Sequence, residues 1–500
     1  MSDGITRRQV LTLGAVGTGA LVIGTVGLIL STQAPPSTPS TAPSPDSPDP
    51  ESPAPETRSG WAEPEVISAK DGLLELDLRV AAADVVVGGS TVRMLTYNGT
   101  VPGPTLHLNP GDRLHVHFSN DLDEVTNLHT HGLHVSAEGN SDNPFLHIEP
   151  GQSFDYEIEI PLDHPTGINW YHPHHHGRAA DQVFGGMYGA IMVDTDDWSE
   201  GGSPRVVLVS DTTFAGGGVA GVTQAERMMG RTGETLLTNG QVAPELRGPA
   251  GSTQRLLFIN ACASRYLDLG LAGFSATLRG TDSMPLAEPR EVDRVLLAPG
   301  NRADVTVTIP AETTQLISAS FDRGRMGMGM GMGGQGTAAP DAVILTTLPD
   351  AAISAPLVTG SVAATLPDLR ASEPDGARTI TMSMGMGGGG GMGMQFLLDG
   401  REYNHDRVDQ SVRLGTMEEW TIVNNSSMSH PFHLHIWPMQ VIRVGNTEVS
   451  EIDLRDVVHV PEFSSVTVRI AFERFPGRTV YHCHILDHED LGMMGIIEAA

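Results

Sequence analysis

The chain has 500 residues, more than one ordinary hydrophobic core accommodates, so its length favours about three domains. Its formal net charge of −30, with Lys70 as the single lysine, argues against nucleic acid as a partner and favours an acidic, solvated surface. Because there are only two cysteines, Cys262 and Cys483, no structural disulfide is expected; Cys262 is typical of a small buried side chain.

The N-terminus predicts an export segment followed by a spacer. Residues 1–30 combine a twin-arginine motif with an apolar stretch that begins at Val10, which is typical of a twin-arginine export signal. The stretch is long enough to span a bilayer, and Pro35 disfavours cleavage just before it, so an uncleaved membrane anchor stays open. Residues 31–58 are rich in Pro, Ser and Thr and predict a disordered linker. The protein body is therefore expected in the periplasm, at the cell surface or outside the cell.

From Trp61 onward the sequence predicts strands and turns. The strand-like segments are residues 114–118, 154–160, 206–209, 304–309 and 466–470. Pro-Gly and Asn-Gly pairs punctuate the chain, and long helical periods are scarce. The pattern predicts an all-β chain of serial β-sandwiches, with domain 1 at residues 59–200, domain 2 at 201–350 and domain 3 at 351–500.

Two tracts in which Met alternates with Gly stand apart from this pattern. Their methionines are Met326, Met328, Met330 and Met332 in the first tract, and Met382, Met384, Met386, Met392 and Met394 in the second. Such sequences are expected to form no regular core, which favours low-complexity loops. Because Cu(I) prefers sulfur ligands, we interpret the tracts as a soft thioether surface for that ion.

Three clusters of histidines share a His-x-His spacing. They contain His129 and His131, then His172, His174, His175 and His176, and then His430, His433 and His435. On a strand, residues i and i+2 face the same side about 6.5–7 Å apart, so each pair presents two imidazoles to neighbouring ions. His115 and His117 have this spacing too, but we interpret them as ordinary strand residues. No histidine lies between His176 and His405, so domain 2 is expected only to hold the outer domains in register.

A fourth cluster closes the chain with His482, Cys483, His484, His488 and Met493. Thiolate, imidazole and thioether are the ligands of a blue copper site, which needs one further histidine. On an extended backbone Cys483 faces away from His482 and His484, so the sulfur and the imidazoles are expected to serve different metal centres joined by a short covalent path. Thiolate ligation also requires a metal to stabilise the deprotonated cysteine.

The four clusters, with the segment YNGTVPGPTL at residues 97–106, resemble the multicopper oxidase family over residues 61–500, specifically three-domain bacterial laccases and cuprous oxidases. The resemblance implies three tandem cupredoxin-like Greek-key β-sandwiches and four coppers per chain. It assigns the type 1 copper to His430, Cys483, His488 and axial Met493, the type 2 copper to His129 and His433, and the type 3 pair to His131, His172, His174, His435, His482 and His484. The trinuclear cluster would then lie between domains 1 and 3, with His175 and His176 outside the ligand set.

The resemblance also implies the reaction. A reductant would lose one electron at the type 1 copper, Cys483 would carry it onward, and the trinuclear cluster would reduce O2 to water with four electrons. Glu489 and Asp142 are expected to relay the protons that this reduction consumes.

The substrate stays open between Cu(I), favoured by the methionine tracts, and a phenolic or other small aromatic reductant. The segment before His430 lacks an acid for a substrate cation, and Met428 and Met439 are candidate replacements. A monomer is expected. The alternatives are an envelope copper-binding or storage protein that works through its methionine tracts, and a copper nitrite reductase, which is typically a shorter chain.

Overall fold

The computed structural model describes residues 60–194, 204–324, 338–353, 366–386 and 394–500. The predicted export segment and linker, and all four methionines of the first Met-Gly tract, lie outside the described residues. Within the described part of the chain, no helix is long and apolar enough to cross a membrane.

The strands form six sheets, and successive parts of the chain contribute two sheets each. This is the predicted all-β fold of three tandem cupredoxin-like sandwiches, which we call domains 1, 2 and 3. All five strand-like segments fall within a residue of observed strands, so those predictions are confirmed. The domain boundaries at 200/201 and 350/351 stay a prediction.

Among its described residues, domain 1 has nine strands. They are β1 (Val66–Ser68), β2 (Leu73–Val87), β3 (Ser90–Tyr97), β4 (Thr105–Leu108), β5 (Arg113–Asn120), β6 (His129–His131), β7 (Ser153–Glu159), β8 (Gly167–His172) and β9 (Gly189–Val193). One sheet has the order β1-β4-β9-β8-β6, and the other is built on β3-β2-β5-β7. Strand β5 buries Leu114, Val116 and Phe118 in the core and turns His115 and His117 outward. A short helix, α1 (Ala179–Gly185), precedes β9.

Domain 2 follows with β10 (Arg205–Thr212), β11 (Phe214–Ala215), β12 (Gly218–Val219), β13 (Thr235–Thr238), β14 (Glu245–Gly248), β15 (Thr253–Asn260), β16 (Leu267–Gly270), β17 (Ala276–Thr281), β18 (Met284–Val292), β19 (Arg294–Leu297), β20 (Arg302–Thr308), β21 (Thr314–Ala319) and β22 (Ala342–Pro349). Strands β11 and β12 do not join its own sheets but extend the sheet of domain 1, where Gly218 pairs with Arg93 of β3. Helix α2 (Gln224–Met229) begins with a capping box between Thr223 and Glu226. Cys262 is buried in the core, as predicted.

Domain 3 contains β23 (Gly376–Met386), β24 (Met394–Leu398), β25 (Gln410–Val412), β26 (Thr416–Asn424), β27 (His430–Leu434), β28 (Met439–Val444), β29 (Thr447–Glu448), β30 (Leu454–Arg455), β31 (Val457–Val460), β32 (Ser465–Phe472), β33 (Gly477–Cys483) and β34 (Met494–Ala499). The one-turn helix α3 (Leu486–Asp490) connects the last two strands. The second Met-Gly tract is not only a loop, because Met382 lies in β23 and is fully buried in the core. The expectation that the tract forms no regular core is wrong at this position.

Candidate metal centres

The first centre lies inside domain 3. The Cys483 sulfur is 3.4 Å from His430 Nδ1 and 3.9 Å from His488 Nδ1, and the two ring nitrogens are 3.3 Å apart. Met493 is fully buried beside them, and its main chain bonds to both ligand segments: its carbonyl accepts from Cys483 N, and its N–H donates to His488 O. The structure therefore gathers the predicted thiolate, imidazoles and thioether segment at one site.

Strand register explains this arrangement. In the antiparallel pair β27 and β33, Phe432 lies opposite Cys483, and His433 lies opposite His482. Because side chains alternate along a strand, Cys483 points with Phe432 into the core of domain 3, whereas His482 and His433 point to the other face. Helix α3 then turns the chain back so that His488 returns to the sulfur.

The second centre is a cluster of eight buried histidines. Their ring nitrogens form three groups, each with potential ligand atoms within 4.8 Å of one another: His129, His131 and His433; His131, His172 and His484; and His174, His435 and His482. The rings of each His-x-His pair are 4.8–6.1 Å apart, closer than the predicted spacing, because the side chains converge on the centre.

Domains 1 and 3 each contribute half of this cluster. Strands β6 and β8 pair antiparallel in domain 1, with His129 opposite His172. Across the boundary His131 stacks on His433 and His129 stacks on His435, both with ring centroids 4.0 Å apart. The eight histidines thus meet where domains 1 and 3 face each other.

The donors fit copper. The Nε2 atoms of His129, His172 and His433 are buried without a hydrogen-bond partner, and an unpaired buried polar atom costs about 1–3 kcal/mol unless a ligand occupies it. Burial lowers the pKa of His172 to about 3 and of His174 to about 4, which keeps these imidazoles neutral and free to coordinate. Burial also raises the pKa of Cys483, so its thiolate requires a bound metal.

Both predicted carboxylates lie at the histidine cluster. His129 Nδ1 is 3.0 Å from each carboxylate oxygen of Asp142, which also accepts from Thr130 N at 2.7 Å. Burial raises the pKa of Asp142 to about 7. Glu489 lies 3.1 Å from His482 Nδ1 and 3.7 Å from His174 Nε2; burial opposes its ionisation, but these imidazoles together hold its pKa below the ordinary value.

Domain 2 contributes no imidazole but reaches the cluster through an ion pair that the sequence analysis missed. Both guanidinium Nη atoms of the fully buried Arg302 bond to Asp456 at 2.6 Å. Asp456 Oδ1 is 3.2 Å from His131 Nε2, and its backbone carbonyl lies 2.8 Å from His433 Nδ1. Arg302 Nε also donates to Ile168 O of domain 1. This one side chain of domain 2 therefore contacts both domain 1 and domain 3 beside the histidine cluster.

Helix α3 is fixed by carboxylates on either side of Glu489. Asp487 pairs with the buried Arg231 of domain 2, with 2.6 Å between Oδ1 and Nη2. Asp490 accepts from Gly177 N and Ala180 N at the start of α1 in domain 1. These contacts hold His488 and Glu489 relative to both neighbouring domains.

Two cavities lead toward the cluster. A cavity of about 420 Å³ is lined by His134, His164, Ile436, Trp437 and Arg474. A narrow one of about 10 Å³ adjoins the histidine cluster and shares His134 and Ile436 with the larger cavity. Because these residues line both spaces, the two cavities adjoin each other beside the histidine cluster.

Comparisons with known proteins agree with this geometry. Family models described as multicopper oxidase match residues 79–197, 169–335 and 374–499. The chain is 27% identical over 423 residues to a multicopper oxidase of Staphylococcus aureus, covering 82% of this chain and 85% of the relative. It is 26% identical over 474 residues to a laccase of Bacillus stratosphericus, covering 80% and 90%. A solved Campylobacter jejuni multicopper oxidase, described as a metallo-oxidase, superposes with a TM-score of 0.71 at 28% identity, covering 89% of this chain and 98% of that one.

The chain belongs to the multicopper oxidase family. It is a copper-dependent oxidoreductase that couples the oxidation of a reductant to the reduction of O2. The copper storage protein and the copper nitrite reductase are not favoured.

Proposed function

We propose that this oxidase acts on Cu(I), with four coppers per chain. The type 1 copper would be held by His430, Cys483, His488 and Met493. The type 2 copper is assigned to His129 and His433, and the type 3 pair to His131, His172, His174, His435, His482 and His484. The grouping of these side chains and the unpartnered ring nitrogens support the assignment.

The surroundings of His488 carry the substrate proposal. His488 Nε2 lies 3.3 Å from the carbonyl oxygen of Met228 at the end of helix α2. Met228, Met384 and Met394 are half-buried and pack against the core that contains Cys483. Three thioether side chains therefore pack against the core that contains the type 1 ligand Cys483, and thioether sulfur is the donor that Cu(I) prefers.

Two other methionines do not have the role considered for them. Met428 and Met439 are both fully buried, and neither thioether reaches solvent. They therefore do not replace the acid missing from the segment before His430. The half-buried Met228, Met384 and Met394 are the candidate donors instead.

The protein's own residues provide an electron path and proton carriers. When bound, copper supplies one-electron redox chemistry at the type 1 site and four-electron reduction of O2 at the trinuclear site. The backbone of Cys483 connects its sulfur directly to His482 and His484, which face the other centre. Asp142 contacts His129 and can exchange a proton near neutral pH, because burial brings its pKa to about 7, and Glu489 serves the opposite side beside His482 and His174.

Export also belongs to the proposal. The twin-arginine motif supports a folded, exported protein in the periplasm, at the cell surface or outside the cell. The apolar stretch of residues 10–30 supports membrane anchorage if it is retained. We propose a monomer. Replacing Arg7 and Arg8 by Lys should retain the protein in the cytoplasm, and unchanged fractionation would contradict the twin-arginine route.

The decisive experiment compares reductants on the copper-loaded enzyme. Steady-state O2 uptake is measured side by side with Cu(I), Fe(II) and a phenol. The highest kcat/KM is expected for Cu(I). A higher value for the phenol would overturn the substrate proposal, and Cu(I) binding without O2 uptake would overturn the oxidase itself.

A further inference from the structure

A second group of histidines lies at the protein surface, outside the copper ligands. His147 and His175 come from loops of domain 1, and His405 comes from a loop of domain 3. The family resemblance places His175 outside the copper ligands. In the structure, His175 Nε2 lies 2.7 Å from His147 Nδ1.

The separations resemble those inside the copper centres. Nitrogens of different histidines in the buried cluster lie 3.1 Å apart between His174 and His482 and 3.2 Å apart between His131 and His484. The ring centroids of His147 and His175 are 4.7 Å apart. Ring centroids within the two type 3 groups are 4.8–5.7 Å apart, so the surface pair is as close as histidines that share a metal group.

His405 stands within reach of the same point. Its ring centroid is 6.1 Å from that of His147, slightly beyond the type 3 range. The side chain is exposed, and Tyr403 Oη lies 3.5 Å from its Nδ1. Because this ring is exposed, it can turn toward His147 and offer a third imidazole.

One member of the group is anchored, and two are adjustable. The carbonyl of His175 accepts from Arg178 N and Ala179 N at the entry to α1, which fixes its backbone. Its Nδ1 is buried without a hydrogen-bond partner, so Nε2 is the nitrogen it presents to His147. His147 and His405 are exposed and move at little cost.

We propose that His147, His175 and His405 form a surface site for one divalent transition-metal cation, separate from the four coppers. Imidazole is the usual ligand of Zn²⁺, Cu²⁺ and Ni²⁺. With Zn–N bonds of about 2.0–2.1 Å, two nitrogens on a tetrahedral ion lie ~3.3 Å apart, so the exposed His147 ring shifts outward by a few tenths of an ångström. The bound ion joins a loop of domain 1 to a loop of domain 3, and it stabilises the folded chain by RT ln(1 + c/Kd), where c is the free zinc concentration.

The test uses Zn²⁺, which has no redox chemistry, and the copper-loaded full chain, so that the internal sites are filled. Calorimetric titration is expected to show one zinc ion bound per chain and a higher unfolding temperature. The blue absorption of the type 1 centre is recorded on the same samples, which separates a failure of copper loading from a failure of the surface site. The proposal does not depend on the nature of the reductant.

Variants identify the ligands. His147→Gln should weaken zinc binding by at least about tenfold, and His405→Gln should weaken it as well. His117→Gln is the matched control, because His117 is an exposed histidine of domain 1 that contacts Asp155 instead of another imidazole, and it should leave zinc affinity unchanged. Unchanged affinity in His147→Gln, or a loss with His117→Gln instead, would overturn the site, and unchanged affinity in His405→Gln would overturn the proposed three-histidine form.

Discussion

The two metal centres are built in different ways. The mononuclear group belongs to one domain, where adjacent strands β27 and β33 and helix α3 bring His430, Cys483 and His488 together. The eight-histidine cluster is shared between domains 1 and 3. Arg302 of domain 2 also contacts it through Asp456. The comparison teaches that the ligands of the first centre all come from one domain, whereas the histidines of the second meet only when domains 1 and 3 dock.

The strongest way to separate the centres is to remove the sulfur that links them. Cys483→Ser should abolish the blue absorption and turnover, because no thiolate remains to bind and conduct, while the histidine cluster keeps its copper. Visible absorption, copper content and O2 uptake are measured together. Cys262→Ser is the control, since that cysteine is buried in the core of domain 2 and should leave the blue band intact. Retained turnover in Cys483→Ser would refute its role.

Arg302→Met tests the dependence on domain docking. Removing one partner of a buried ion pair costs about 3–5 kcal/mol, because Asp456 is left buried without its countercharge. We expect a lower unfolding temperature and loss of copper from the histidine cluster before the mononuclear centre, followed as total copper relative to blue absorption. Arg255→Met removes a less buried ion pair to Asp304 in the same domain and should preserve that ratio. Equal loss of copper from both centres would contradict a specific effect.

Asp142→Asn addresses one side of the shared cluster only. Because Asn offers His129 a hydrogen-bond acceptor but carries no proton to relay, turnover should fall by about 10²-fold, the lower range for general acid–base catalysis. The blue absorption of the type 1 copper should persist. In stopped-flow measurements the band should bleach rapidly on reduction but return more slowly than normal on reoxidation. Asp155→Asn, an exposed acid of the same domain, is the control. Normal reoxidation in Asp142→Asn would remove Asp142 from the relay.

The smallest expected effect concerns the methionines beside the mononuclear centre. Replacement is preferable to deletion, because Met384 and Met394 lie on paired strands β23 and β24. Met384→Leu with Met394→Leu should lower kcat/KM for Cu(I) about fivefold, on the order of 1 kcal/mol, and spare a phenol. Met417→Leu, half-buried on β26 at the other end of β23, is the control. Equal losses with both reductants would exclude a substrate role.

The sequence was most informative where chemistry is local. Alternation along a strand was enough to predict that Cys483 faces away from His482. It also predicted that the two histidines of each His-x-His pair face the same side. Asp456 and Arg302 gave no such signal, because an Asp and an Arg 154 positions apart become partners only when separate sandwiches dock. The pairing of His175 with His147 gave no signal either, because it depends on how two loops of domain 1, 28 positions apart in the chain, fold together. The buried position of Met382 was not predicted, because its neighbours are rich in glycine. Its strand partner, Leu398, lies beyond the glycine run.

The hairpin of β11 and β12 bears on how the polypeptide is made. Strand β3 of domain 1 is covered at its outer edge by Gly218, with Arg93 N donating to Gly217 O at 2.8 Å. During synthesis the first sandwich therefore leaves the ribosome with an open sheet edge, which stays a template for wrong pairing until residues 214–219 emerge. A fragment truncated near residue 200 should aggregate, and one extended to residue 220 should not.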